Sequence, residues 1–273
     1  MEPAQWRASP EPTVPIASGD FSDALRKFGA QPPTPATSVA AARNFVLEET
    51  QATTILAFKF AGGVLVAGDR RATAGNIVVY DRADKVLEID RFSLMAIAGV
   101  PATAWEMARM LEHSFQFYRR SQLQEMSLEG KVRALSKLLR DNLGMVMQGV
   151  GIVVPLFVTY DTEADVPRLY FYDAMGAQFE ATDYAASGSG SHAVRSILYY
   201  ENTFGPRPLR KRNEQQAVIV ALRALETAAE ADTATGGVDR RGRVFPIVKI
   251  VSRQGIVTLP EKHLARVFRE KVA

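Results

Sequence analysis

Two adjacent threonines, Thr53 and Thr54, are the residues of this chain best suited to covalent chemistry. A threonine hydroxyl is a weak nucleophile until a neighbouring base takes its proton. The nearest base open to Thr53 is its own α-amine, which exists only if the bond from Ala52 to Thr53 is cut. An α-amine titrates near about 8, close to a working pH. The pair therefore predicts both a nucleophile and a processing event. Other chemistries are poorly served. The chain has no cysteine, which excludes a thiol nucleophile, disulfides and cysteine zinc sites. His113, His192 and His263 show no metal or triad spacing, and no serine sits in a GxSxG elbow. Gly188-Ser189-Gly190-Ser191-His192-Ala193 matches the GxGxxA dinucleotide pattern. The acidic residue that should follow about 20 positions on is missing from the loop Asn202–Pro206. The plainer reading is a tight strand-to-helix turn whose small residues let backbone approach something closely.

The elements that must position Thr53 are legible around it. The first 40 residues hold seven of the 14 prolines and bury little, so residues 1–52 read as a largely disordered head. A short helix capped by Ser18 is expected near 20–28, with Phe21, Leu25 and Phe28 on one face. From Thr53 the pattern changes. Apolar runs Ile55–Phe60 and Val64–Gly68, split by Ala61-Gly62-Gly63, predict a hairpin. Further strands are expected at Ile77–Tyr80, Val86–Ile89 and Leu94–Ala98. Helices follow at Thr103–Arg119 and Ser127–Met147, the second with Leu128, Val132, Leu135, Leu139, Leu143 and Val146 at helical spacing. Strands return at Ile152–Tyr160, Leu169–Tyr172 and Tyr184–Ala186. Helices begin near Ser191 and span Glu214–Ala231. A hairpin, Phe245–Val251 with Ile256–Leu259, precedes a last helix, Glu261–Lys271. Segregated blocks of strands and helices predict an α+β fold, with two antiparallel sheets face to face and helices outside each.

Composition narrows the classes. Of 273 residues, 47% are hydrophobic and 23% charged, the balance of a globular protein. A net charge of +3 gives no argument for nucleic acid. The tightest basic cluster, Arg207, Arg210, Lys211 and Arg212, reads as a solvated loop. No apolar run approaches the ~18 residues of a membrane helix, and no basic start with an apolar run suggests a secretory signal.

Taken singly, Asp69 is a strand-end turn residue, Lys85 a surface lysine, and Asp232 with Thr235-Gly236-Gly237 a helix terminus. Together they change meaning. The stretch TTILAFKFAGGVLVAGDRRATAGN from Thr53 resembles the catalytic β subunits of the 20S proteasome, in the N-terminal nucleophile hydrolase family. The bacterial, actinobacterial type is the nearest in character. Asp84–Val86, Ile97–Gly99, Met147–Gly149, Ser187–Ser191 and Asp232–Gly237 match in order and at similar spacing. The resemblance implies a four-layer αββα sandwich over 53–273 and a propeptide over 1–52. It implies a threonine endopeptidase with Thr53 as nucleophile, Lys85 and Asp69 beside the hydroxyl, and Ser189, Asp232 and Thr235 around the amine. The Gly99 N–H would bind the oxyanion, and Thr73 would pair with an extended substrate. Ala72, Ala83, Leu87, Ile97 and Pro101 would wall an uncharged specificity pocket. No cofactor or metal is expected. The implied partners are copies of the chain in a seven-membered ring, stacked with α-subunit rings, an ATPase ring, and unfolded polypeptides, in the cytoplasm. Two departures stand out: Ala52 where glycine usually precedes the nucleophile, and Pro101 where a small residue is usual. The competing expectation is a silent structural ring subunit in which Ala52–Thr53 is never cut.

Overall fold

In the computed structural model the described residues are 53–74, 77–238 and 244–272. They belong to one unit, Glu48–Ala273. The predicted head, its helix near 20–28 and Ala52 lie outside the described residues.

The first sheet has the order β10-β1-β2-β11-β12, built from β1 (Thr54–Phe60), β2 (Gly63–Gly68), β10 (Tyr184–Gly188), β11 (Ile247–Ser252) and β12 (Gly255–Thr258). The second, in order β5-β6-β7-β8-β9, comprises β5 (Val86–Asp90), β6 (Ser93–Ala96), β7 (Leu156–Asp161), β8 (Val166–Tyr172) and β9 (Gln178–Glu180). All strand pairs are antiparallel. A separate hairpin joins β3 (Ala72–Ala74) to β4 (Ile77–Tyr80).

The period of two explains the layering. In β1, Ile55 and Ala57 face the second sheet, where they meet Val86, Leu94, Leu156 and Val158. Leu56, Phe58 and Phe60 face the other way, against α4 (Ser191–Thr203), α5 (Glu214–Ala231) and α6 (Glu261–Lys271). Every residue of β1 is buried, as a central strand covered on both faces must be. Outside the second sheet, α1 (Pro101–Gln122) and α2 (Leu128–Asp141) pack Met107, Leu111, Phe115, Leu135 and Leu139 on Met95, Ile97 and Phe157. The result is helices, sheet, sheet, helices: the expected αββα sandwich.

Local chemistry sets the ends. Pro101 opens α1 at a position where its missing N–H costs nothing. Ser127 caps α2 by accepting from Gly130 N–H, and Asn213 with Gln216 forms a capping box on α5. Three expectations are corrected, and two short strands are added. The helix predicted over Ser127–Met147 stops at Asp141 and resumes as a single turn, α3 (Leu143–Val146). Asn142 turns its amide to the Gly151 carbonyl at 2.7 Å, and Gly144 weakens the continuation. The strand predicted from Ile152 begins at Leu156, because Pro155 has no N–H for the ladder. Three-residue strands β3 and β9 were not foreseen. The basic cluster is not simply solvated: Arg212 is buried and paired with Glu201 at 2.6 Å, and Arg210 pairs with Asp183.

Candidate active site

The register of the first sheet assembles the site. β1 pairs with β10 so that Thr54 faces Gly188, and with β2 so that Ile55 faces Gly68. Thr53 is thereby held at the end of β1, buried, with its carbonyl accepting from Ser189 N–H at 3.0 Å. Gly188 has φ +95, and a Cβ there would lie 1.7 Å from the Thr53 carbonyl oxygen. Only glycine permits this approach. The small residues of the SGSGS turn thus approach the threonine pair itself.

Asp69 leaves the sheet beside Thr54 and is fully buried. Its Oδ1 accepts from Thr54 N–H at 2.8 Å and from Lys85 Nζ at 2.7 Å. Its Oδ2 accepts from Arg71 N–H and Gly236 N–H, both at 2.9 Å. Four donors on one buried carboxylate hold it fixed. Lys85, just ahead of β5, brings the second sheet to this point, and its Nζ also donates to the Arg71 carbonyl at 2.5 Å. Burial pushes the Lys85 ammonium below the ordinary lysine range, Asp69 pulls it back up, and Arg71 adds to the lowering.

A second network lies on the other side of Thr54. Asp232 Oδ2 accepts from Ser189 Oγ and from Thr235 Oγ1, each at 2.5 Å, and its Oδ1 accepts from Ala234 N–H. Burial would raise this carboxyl, but these hydrogen bonds from Ser189, Thr235 and Ala234 hold it below the usual carboxylate value. Because Thr235 spends its proton on Asp232, the 2.6 Å contact between Thr54 Oγ1 and Thr235 Oγ1 has Thr54 as donor. Thr54 Oγ1 in turn accepts from Gly190 N–H at 3.0 Å.

Gly99 has φ +111 and pairs with Val153 through an isolated bridge whose hydrogen bonds belong to Val100 and Val154. A cleft of roughly 470 Å³ opens between Gly99, Ile152 and Val154 on one wall and Ser187, Gly188 and Ser189 on the other. The residues expected to wall a specificity pocket lie on several elements near the site. Ile97 is buried, and Leu87 packs beside it, in the cluster under α1. Ala83 is buried, its N–H on the Arg70 carbonyl. Ala72 and buried Thr73 lie on β3, and Pro101 starts α1. None of these lines the cleft beside Gly99. His113 and His192 are exposed, and His263 sits on α6 against Arg266.

The sequence of the described fold matches the Proteasome subunit family over residues 49–241. The chain belongs to the proteasome subunit family. Its relatives include "Proteasome subunit beta" of Streptomyces griseus, 38% identical over 226 residues, which cover 82% of this chain and 77% of the relative. The protein of that name from Acidimicrobium ferrooxidans is 39% identical over 80% of this chain and 77% of its own. "Proteasome subunit beta 2" of Thermomonospora curvata is 40% identical over 81% and 76%. As a proteasome β-type subunit the chain has the fold expected of it, and family membership places it in a proteasome core with other subunits. Among the described residues no helix is long and apolar enough to cross a membrane.

Three contributors to the site were not assigned from sequence. Thr54 was read only as the neighbour of Thr53, although it carries the link between Asp69 and Thr235. Arg71 acts through its backbone, N–H to Asp69 and carbonyl to Lys85, while its guanidinium donates to the Thr233 and Thr235 carbonyls. Gly236 acts through its N–H alone, and a Cβ there would lie 2.8 Å from Arg71 Cβ. Backbone roles leave no residue-type signal; the GG of Thr235-Gly236-Gly237 was the only trace of one.

Proposed function

We propose that the chain is a threonine endopeptidase, made active by removal of residues 1–52. In the intact chain the Thr53 nitrogen is an amide and cannot act as a base. Attack of Thr53 Oγ1 on the Ala52 carbonyl carbon, followed by hydrolysis of the resulting ester, breaks the 52–53 bond and frees the amine. That amine then takes the hydroxyl proton during attack on a substrate carbonyl and returns it to the leaving amine. The Lys85 charge favours the alkoxide and keeps the neighbouring amine neutral. Asp69 holds Lys85, and Asp232, with Ser189 and Thr235, holds the amine. The Gly99 N–H binds the oxyanion, a contribution whose loss costs about 100- to 1,000-fold in rate. Thr73 pairs with the substrate backbone as an added strand.

Ala52 is expected to slow self-cleavage without preventing it, by about 1 kcal/mol if the turn needs a positive φ. The uncharged side chains of Ala72, Ala83, Leu87, Ile97 and Pro101 favour apolar residues on the acyl side of the cut. An isolated subunit of this kind would digest its surroundings. The reading is completed by seven-membered rings of this chain stacked between α-subunit rings, fed unfolded polypeptides by an ATPase ring in the cytoplasm.

The observation that carries the proposal is the fully buried Asp69–Lys85 pair, hydrogen-bonded to the backbone that follows Thr53. A fold has no need to bury an ion pair at the end of a strand, since apolar packing there is as stable. The test is Thr53→Ala in the assembled particle, which should abolish hydrolysis of Leu- and Tyr-terminated peptides. Surviving peptidase would indict another nucleophile, and faster cleavage after acidic or basic residues would overturn the pocket.

A further inference from the structure

The described fold buries four lysines: Lys59, Lys85, Lys131 and Lys249. Three of them hydrogen-bond a carboxylate, Lys85 to Asp69 at 2.7 Å, Lys131 to Asp90 at 2.7 Å and Lys249 to Glu88 at 3.0 Å. Lys59 does not. Its side chain is 9% exposed, and the nearest carboxylate, Glu180, stands 3.7 Å away. The Lys59 ammonium keeps an open side, toward a neighbouring cleft.

Lys59 faces a cleft of roughly 700 Å³ whose lining includes Phe60, Pro167, Arg168, Glu180 and Arg210. Three cations line it against one carboxylate. Arg168 donates to Glu180 at 3.1 Å, but its Nε is buried with no acceptor, and Asp161 is 3.8 Å from it. Arg210 is tied to Asp183 and to the Thr182 carbonyl on the rim. Burial pushes the Lys59 ammonium below the ordinary lysine range; Glu180 pulls it up, Arg210 and Arg168 push it further down, and Asp183 pulls it up. Glu180 is thus the one carboxylate in the lining and is shared by two cations, Lys59 at 3.7 Å and Arg168 at 3.1 Å. Lys59 lies six residues along β1 from Thr53, about 20 Å at strand rise, so the cleft is separate from the active site.

We propose that this cleft binds a small oxyanion of the phosphate type, seated between Lys59 Nζ, the Arg168 guanidinium and Arg210. A tetrahedral anion offers several acceptor oxygens at once, which a single carboxylate side chain such as Glu180 cannot extend to all three cations. The site is independent of the peptidase reading.

The test is calorimetric titration of the full-length chain with inorganic phosphate, at constant ionic strength set by chloride, beside acetate. Wild type is expected to bind phosphate in preference to acetate. Lys59→Met, which replaces a buried charge with an apolar side chain of similar length, is expected to weaken phosphate binding at least tenfold, the loss of one charge-assisted hydrogen bond. In the unmutated chain, phosphate is expected to protect Lys59 from amine acetylation, read by peptide mass spectrometry, and to leave exposed lysines such as Lys262 unprotected. Equal binding by wild type and Lys59→Met, phosphate no better than acetate, or unprotected Lys59 would each overturn the assignment.

Discussion

Replacing Asp69 by asparagine tests the pivot of the site. The aspartate is fully buried and accepts four hydrogen bonds, two on each oxygen. Asparagine keeps the shape but has one acceptor oxygen. Whichever way its amide sits, two of the four donors face an NH2 group. Each buried donor left without a partner costs about 1–3 kcal/mol. If the lost oxygen is the one bonded to Lys85, a buried ammonium is left unpaired, and breaking such a pair costs about 3–5 kcal/mol. These costs overlap, so the expected loss is about 3–5 kcal/mol in total. For a chain of this size it moves the urea midpoint down by about 1–2 M. Lys85→Met supplies the control. In the double variant the buried ammonium is gone and, with the amide oxygen toward Arg71 and Gly236, only the Thr54 N–H still faces the NH2 group, so its destabilisation should fall short of the sum of the singles by about 1 kcal/mol or more. The assay is urea unfolding of the four proteins in a Thr53→Ala background, so that none differs by processing. An Asp69→Asn loss under 1 kcal/mol, or a strictly additive double variant, would refute the reasoning.

Further outcomes follow from the same geometry. Thr54→Val removes the hydroxyl that donates to Thr235 and accepts from Gly190 N–H, and should cost about 1–3 kcal/mol and slow peptidase turnover, while Thr54→Ser restores both; equal behaviour of the two variants in unfolding and kinetics would contradict the role. Gly188→Ala drives a Cβ into the Thr53 carbonyl at 1.7 Å and should block both processing and peptide hydrolysis, measured by intact mass and fluorogenic peptides. The Lys85 ammonium, lowered mainly by burial, gives up its proton below the ordinary 10.5; the alkaline limb of kcat/KM should therefore fall before that pH, and full activity maintained through it would show that the charge is not needed. Asp232 has a folded value below its ordinary 3.8, so its stabilising contribution is complete above that pH and disappears only as pH falls through the lower value. The stability gap between wild type and Asp232→Asn should therefore close on acidification below pH 4, as read by unfolding curves at stepped pH.

Much of the fold was legible because its rules are local. The Ile55–Phe60 and Val64–Gly68 runs alternate about a glycine turn, and that alone set the first hairpin. Leu128, Val132, Leu135 and Leu139 lie on one helical face, and the last three are buried in the helix observed. The misses were non-local. Three-residue strands such as β3 and β9 carry no period to detect. The helix break at Asn142 depends on a carbonyl nine residues away, at Gly151. Arg212 looked like part of a solvated basic run until the fold brought Glu201 to it. In the site, side chains of distinctive type, Asp69 and Lys85, could be picked out in advance, and the structure brings them into contact. Backbone groups of Arg71 and Gly236 could not, because the atoms involved are common to every residue.

The central claim, that Thr53 becomes an N-terminal nucleophile, is tested most directly by the intact mass of the assembled wild-type protein. The account predicts a mass corresponding to a chain that begins at Thr53, with a Thr53→Ala particle retaining residues 1–52. A full-length mass in an assembled wild-type particle would contradict it, and would leave the chain a structural subunit whose Ala52–Thr53 bond is never cut.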